Sequence, residues 1–167
     1  MIGNSPQCFE VSLAAWQEDC RALSAGPYAL HSIASDGAKS NTLRVGKRVM
    51  LVDDNPAIRH ALQHVFEFSP GWNVCGEAEN GREGIEKAKA LKPDLIVLDV
   101  SMPEMSGIEA ARVIHDIMPD VPLILCSLYT DDVLRAEAKS AGIKAVVSKT
   151  QNMQVLLREA TELLRAS

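Results

Sequence analysis

From residue 47 onward the chain moves between two rhythms of apolar positions. Short apolar runs at 48–52, 95–98, 122–127 and 145–149 are too brief to span a membrane and read as strands buried on both faces. A weaker run at 72–77 completes a set of five. Between the runs, apolar residues recur every three or four positions, which is the helical rhythm. Ile58, Ala61, Leu62, Val65 and Phe66 form one such stripe, and Ile85, Ala88 and Leu91 a second. Ile108, Ala111, Val113, Ile114 and Ile117 form a third, 131–141 a fourth, and Met153, Leu156, Leu157, Ala160, Leu163 and Leu164 the last.

The punctuation agrees. Pro56 suits a first helical position with Asp54 or Asn55 as cap, while Pro70-Gly71, Lys92-Pro93, Met118-Pro119 and Gly142 end helices. Asn80-Gly81 is a turn signal. Five strands alternating with five helices predict an α/β fold: a doubly wound parallel sheet, covered on both faces, with right-handed crossovers.

Parallel strands all end on one edge of the sheet, where open α/β folds bind ligands. That edge collects Asp53 and Asp54 after the first strand, Asp99 with Ser101 after the third, Ser127 after the fourth and Lys149 after the fifth. Each residue has an ordinary reading: Asp54 as a helix cap, Asp99 as a cap or turn-former, Ser127 as a turn hydroxyl, Lys149 as a solvated charge. Convergence favours chemistry. Three carboxylates in one crevice repel one another unless a cation lies between them, and hard oxygen donors with open positions suit Mg²⁺. Lys149 and Ser127 can hold the oxygens of a phosphoryl group, and an Asp carboxylate can serve as the nucleophile that accepts it.

Composition narrows the classes. The chain has 167 residues, a net charge of -5 and 4% aromatics, which argues against a basic nucleic-acid footprint or a platform for stacking single strands. Cys8, Cys20, Cys75 and Cys126 form neither a C-x-x-C pair nor a zinc spacing, so Cys75 and Cys126 read as small buried hydrophobes in a reducing compartment. No apolar stretch approaches the ~18 residues of a membrane span and no leader pattern opens the chain, so a cytoplasmic protein is expected. Residues 1–46 form a separate extension, mostly flexible, with one helical candidate at 10–23 that carries Trp16. Residues 47–167 form the domain.

The stretch from Lys47 to about Leu164 resembles the receiver domains of bacterial two-component response regulators, which share a flavodoxin-like fold. The resemblance is carried by Val52-Asp53-Asp54-Asn55-Pro56, Leu98-Asp99-Val100-Ser101-Met102-Pro103 with Gly107, Ser127 and Lys149. It implies that Asp99 is the phosphoacceptor. It implies further that Asp54, Asp99 and the Ser101 main-chain carbonyl bind Mg²⁺, with Asp53 acting through water. Lys149 would contact the phosphoryl oxygens and Ser127 would be the switch hydroxyl. The donor would be a phosphohistidine on a sensor histidine kinase or a small phosphodonor, and the chain would turn over no separate substrate.

Two departures stand out. Val146 occupies the position, three before the Lys, where the family usually carries an aromatic switch residue, so coupling would run through loop shifts or through Tyr129. Thr150 follows Lys149 where many receivers have Pro.

The contact surface implied by the family is the fourth helix, fifth strand and last helix, which the segment around Trp16 would mask. Only Arg165-Ala166-Ser167 follow the last helix, so the chain reads either as a stand-alone receiver signalling to a protein partner or as part of a longer regulator. The resemblance also allows a phosphorylation-dependent homodimer, and it implies contact with nucleic acid only through an output domain. Two alternatives remain: a degenerate receiver that binds partners without phosphorylation, and a haloacid-dehalogenase-type phosphatase. The latter needs a second Asp two residues after the nucleophile, where this chain has Ser101.

Overall fold

The computed structural model describes residues 46–166. The extension and its helical candidate at 10–23 lie outside the described residues. Five strands, β1 (Lys47–Val52), β2 (Trp72–Ala78), β3 (Leu95–Asp99), β4 (Leu123–Ser127) and β5 (Ala145–Ser148), alternate with five helices. The helices are α1 (Pro56–Glu67), α2 (Gly81–Leu91), α3 (Gly107–Ile117), α4 (Asp132–Ser140) and α5 (Met153–Ala166). All pairings are parallel, in the order β2-β1-β3-β4-β5. β3 and β4 are buried at every position, as their unbroken apolar runs require.

Each face of the sheet carries its own core. Ile58, Ala61, Leu62, Val65 and Phe66 of α1 pack with Met153, Leu156 and Ala160 of α5 over one face. Ile85 and Ala88 of α2, Ile108, Ala111 and Ile114 of α3, and Ala138 of α4 cover the other. At ~25 cal/mol per Å² of apolar surface removed from water, these two layers supply the main drive for folding. Cys126 lies in the first core, where burial pushes its thiol up to about 12, and Cys75 is half-buried.

The local signals resolve as follows. Asn55, rather than Asp54, caps α1: its side chain accepts from the N–H groups of Ala57 and Ile58. This leaves the Asp54 carboxylate exposed. Asn80-Gly81 is a helix start instead of a free turn, because Asn80 caps α2 through the N–H of Glu83. Ser106 and Glu109 close a capping box on α3.

The buried stripe of α3 is narrower than its periodicity predicts. Val113 and Ile117 do not face the core; they are 38% and 43% exposed. The buried face of α3 runs through Gly107, Ile108, Ala110, Ala111 and Ile114, where small residues admit close packing, and it turns Val113 and Ile117 outward.

Candidate functional site

β1 and β3 are neighbours in the sheet, yet the chain leaves them toward opposite sides. Their carboxyl ends therefore flank the crevice at the topological switch point. Asp53 follows β1 directly and Asp99 is the last residue of β3. Carboxylate oxygens of Asp53, Asp54 and Asp99 lie within 4.8 Å of one another, with Asp53 and Asp99 buried and Asp54 exposed. The crevice has a volume of about 610 Å³, and its walls include Asp54, Asp99, Ser101, Ser127, Tyr129 and Lys149.

Lys149, just beyond β5, is 4% exposed and reaches across the strand ends. Its Nζ lies 2.6 Å from Asp53 Oδ2 and 2.7 Å from Asp99 Oδ1. The other oxygens are also engaged: Asp53 Oδ1 accepts from the Asn55 N–H at 2.9 Å and Asp99 Oδ2 from the Ser101 N–H at 3.1 Å. A cation shared by two buried carboxylates leaves net negative charge in the crevice, and Asp54 adds to it.

The protonation balance follows. Burial, and more weakly the neighbouring Asp53, pushes the Asp99 carboxyl up to about 6 against the pull of Lys149. Burial raises Asp53 as well. Burial opposes the charge on Lys149, but the attraction of Asp53 and Asp99 outweighs it and holds the ammonium more firmly protonated. An additional cation among these oxygens would relieve the repulsion, and three hard oxygen donors around one open crevice fit Mg²⁺.

Ser127 lines the crevice, but its hydroxyl does not reach the carboxylates. It donates to the Tyr129 carbonyl at 2.6 Å and accepts from the Tyr129 N–H at 3.2 Å, a short turn at the end of β4. The Tyr129 ring is 74% exposed. Val146 is partly buried against the second core.

Arg59 belongs to the setting of the site and was not anticipated. It is 9% exposed, donates through Nη1 to the Asp53 carbonyl at 2.7 Å, and pairs with Glu77 at 3.2 Å and Glu79 at 3.0 Å. Its position three before Leu62 and seven before Phe66, on the buried stripe of α1, was the signal available.

Comparison with known proteins points the same way. A family model described as the response regulator receiver domain matches residues 49–161. The chemotaxis protein CheY of Thermotoga maritima is 43% identical over 105 residues, covering 63% of this chain and 87% of that protein. The transcriptional regulatory protein YdfI of Bacillus subtilis is 33% identical over 120 residues, covering 72% of this chain but 56% of the regulator. Among solved structures, a LuxR-family two-component response regulator from Aurantimonas superposes with a TM-score of 0.70 at 27% identity, covering 72% of this chain and 86% of that one. A chain of the CheX-CheY-BeF3-Mg complex from Borrelia burgdorferi gives 0.66 at 25% identity, covering 70% and 87%. The fold, the crevice and these matches agree, and the chain belongs to the response regulator receiver domain family of two-component systems.

Proposed function

We propose that Asp99 accepts a phosphoryl group from a phosphohistidine of a sensor histidine kinase. The placement of Lys149 between two buried carboxylates at the strand ends carries this reading. An Asp99 carboxylate oxygen bonds to phosphorus as the phosphorus–nitrogen bond of the donor breaks, and Lys149 meets the charge on the transferred oxygens. Asp54, Asp99 and the Ser101 carbonyl would hold Mg²⁺, and Asp53 would act on it through water. The metal, when bound, neutralises phosphoryl charge. Oxygen-only donors around a surplus of negative charge support this assignment.

Phosphorylation adds about -1.5 to -2 charges at neutral pH. The Ser127 hydroxyl then exchanges its Tyr129 partner for a phosphoryl oxygen, and the loop after β4 follows. Val146 leaves no aromatic ring to swing, so the signal leaves through this loop and the face formed by α4, β5 and α5. A groove of about 820 Å³ on that face, walled by Arg135, Lys139, Val146, Val155 and Arg158 among others, supports its use by a protein partner. The chain works in the cytoplasm and turns over no separate substrate. Among the described residues no helix is long and apolar enough to cross a membrane.

Intact mass after incubation with phosphoramidate and Mg²⁺ tests the chemistry. Wild type should gain one phosphoryl group and Asp99→Asn none. A folded wild type that gains nothing would sink the proposal in favour of a phosphorylation-independent binding module.

A further inference from the structure

His60 and His64 stand one turn apart on the solvent side of α1, away from the buried stripe of Ile58, Ala61, Leu62, Val65 and Phe66. Their Nε2 atoms approach to 2.9 Å. The His60 ring meets His64 edge-on, with centroids 4.3 Å apart at 87°. His64 in turn stacks on Phe68, at 5.5 Å and 11°. The stack limits the rotamers of His64, and the buried stripe fixes the helix beneath. Two imidazoles are therefore presented with their outer nitrogens converging. As a plain hydrogen bond this contact is exposed to water and adds little to stability.

The spacing carries chemical information. Nitrogen ligands sit about 2.0–2.1 Å from a first-row metal, so two on neighbouring corners of a square or octahedron lie about 2.9 Å apart, and two at a tetrahedral angle about 3.4 Å. The observed separation matches the first case. Imidazole is a borderline donor that suits Cu²⁺ and Ni²⁺, whereas the Asp53, Asp54 and Asp99 cluster offers only hard oxygen. Glu67, three residues beyond His64, places an exposed carboxylate on the next turn, where it accepts from the Gln63 amide at 3.0 Å. It adds favourable negative charge beside the pair.

We propose that His60 and His64 form a chelating site for a tetragonal divalent transition-metal ion, Cu²⁺ or Ni²⁺, on the exposed face of α1. Both Nε2 atoms bind the ion and water fills the remaining positions. Two protein ligands make occupancy reversible and leave coordination open to a donor from another molecule. The site is separate from the phosphoacceptor crevice and does not depend on its chemistry.

Ni²⁺ is the probe, because Cu²⁺ can be reduced by the chain's thiols. Calorimetric titration of the full chain with NiCl₂, in a large excess of Mg²⁺ to occupy the carboxylate crevice, should give one Ni²⁺ site in wild type. His60→Ala and His64→Ala should each weaken it at least tenfold. Among the described residues, His60 makes its one aromatic contact with the His64 ring, so His60→Ala is decisive if loss of the Phe68 stack disturbs the other variant. Phosphoramidate labelling should be unchanged in both. Ni²⁺ binding that is equal in wild type and His60→Ala, or absent from wild type, overturns the proposal.

Discussion

The guanidinium of Arg59 holds the main-chain carbonyl of Asp53 at 2.7 Å from inside the protein. The same side chain is anchored by Glu77 and Glu79 at the end of β2 and just beyond it, so the acid-bearing turn after β1 is braced against its neighbouring strand. A planar fork can serve three acceptors in fixed directions, which an ammonium cannot. Arg59→Lys keeps the charge and should still lower Mg²⁺ affinity about tenfold, equivalent to about 1.4 kcal/mol. Calorimetric titration with Mg²⁺ checks this. An unchanged affinity would show that the brace is not needed to place Asp53 and Asp54.

The raised Asp99 carboxyl makes stability depend on pH in the absence of metal. Its pKa goes from 3.8 to about 6, chiefly through burial, so the folded chain binds this proton more tightly than the unfolded chain does. The contribution from this group is fully present below about pH 4 and is lost as pH rises through 6, since above that the buried charge must be carried. Asp99→Asn should therefore melt higher than wild type at pH 8 in EDTA, and the difference should vanish toward pH 4. Excess Mg²⁺ at pH 8 should narrow it. Equal melting temperatures at pH 8 would contradict the account.

Gly107 opens α3 directly against the end of β3. Its N–H donates to the Val100 carbonyl at 3.0 Å, and a Cβ at this position would overlap the main-chain carbonyl of Asp99. Backbone cannot step aside as a flexible side chain can, so Gly107→Ala should cost about 1–3 kcal/mol, the range of overpacked sites. Denaturant unfolding measures the loss. Phosphate uptake per folded molecule should fall as well, because the displaced carbonyl belongs to Asp99.

Variants at Ser127 and Tyr129 test whether the proposed chemistry can be separated from its readout. Ser127→Ala removes the hydroxyl that bonds the Tyr129 backbone, but none of the contacts Lys149 makes with Asp53 and Asp99. The variant should still take up one phosphoryl group. Its amide exchange over 127–131 should no longer respond to phosphorylation. Tyr129→Ala leaves that backbone turn in place and removes only the exposed ring, so it should weaken partner binding while Asp99 labels normally. A response of the loop that survives in Ser127→Ala would rule out the hydroxyl as the link.

Much of this arrangement was legible in the residues. Uninterrupted apolar runs leave one solution for β3 and β4, a parallel sheet covered on both sides, and parallel topology alone carries Asp53, Asp99 and Lys149 to one edge. What escaped depends on three-dimensional neighbours. Arg59 went unread because the partners that hold it in the site lie on β2 and beyond it, eighteen and twenty residues away. Val113 and Ile117 looked inward because periodicity finds the direction of a stripe but not its width, which the small residues of α3 decide. The direction of the Ser127 hydroxyl could not be read either, since a turn and a ligand contact require the same residue.

Lys149 lies 96 residues along the chain from the Asp53 carboxylate it grips. It follows β5, which among the described residues is an edge strand paired with β4 alone. A chain interrupted after β4 would hold all three acids but lack the cation that Asp53 and Asp99 share. On the proposed chemistry, competence to accept a phosphoryl group is thus withheld until the last strand is in place, and a half-made or locally unravelled copy would take up no label. In that sense the lysine inspects the assembly of the domain as well as serving its chemistry.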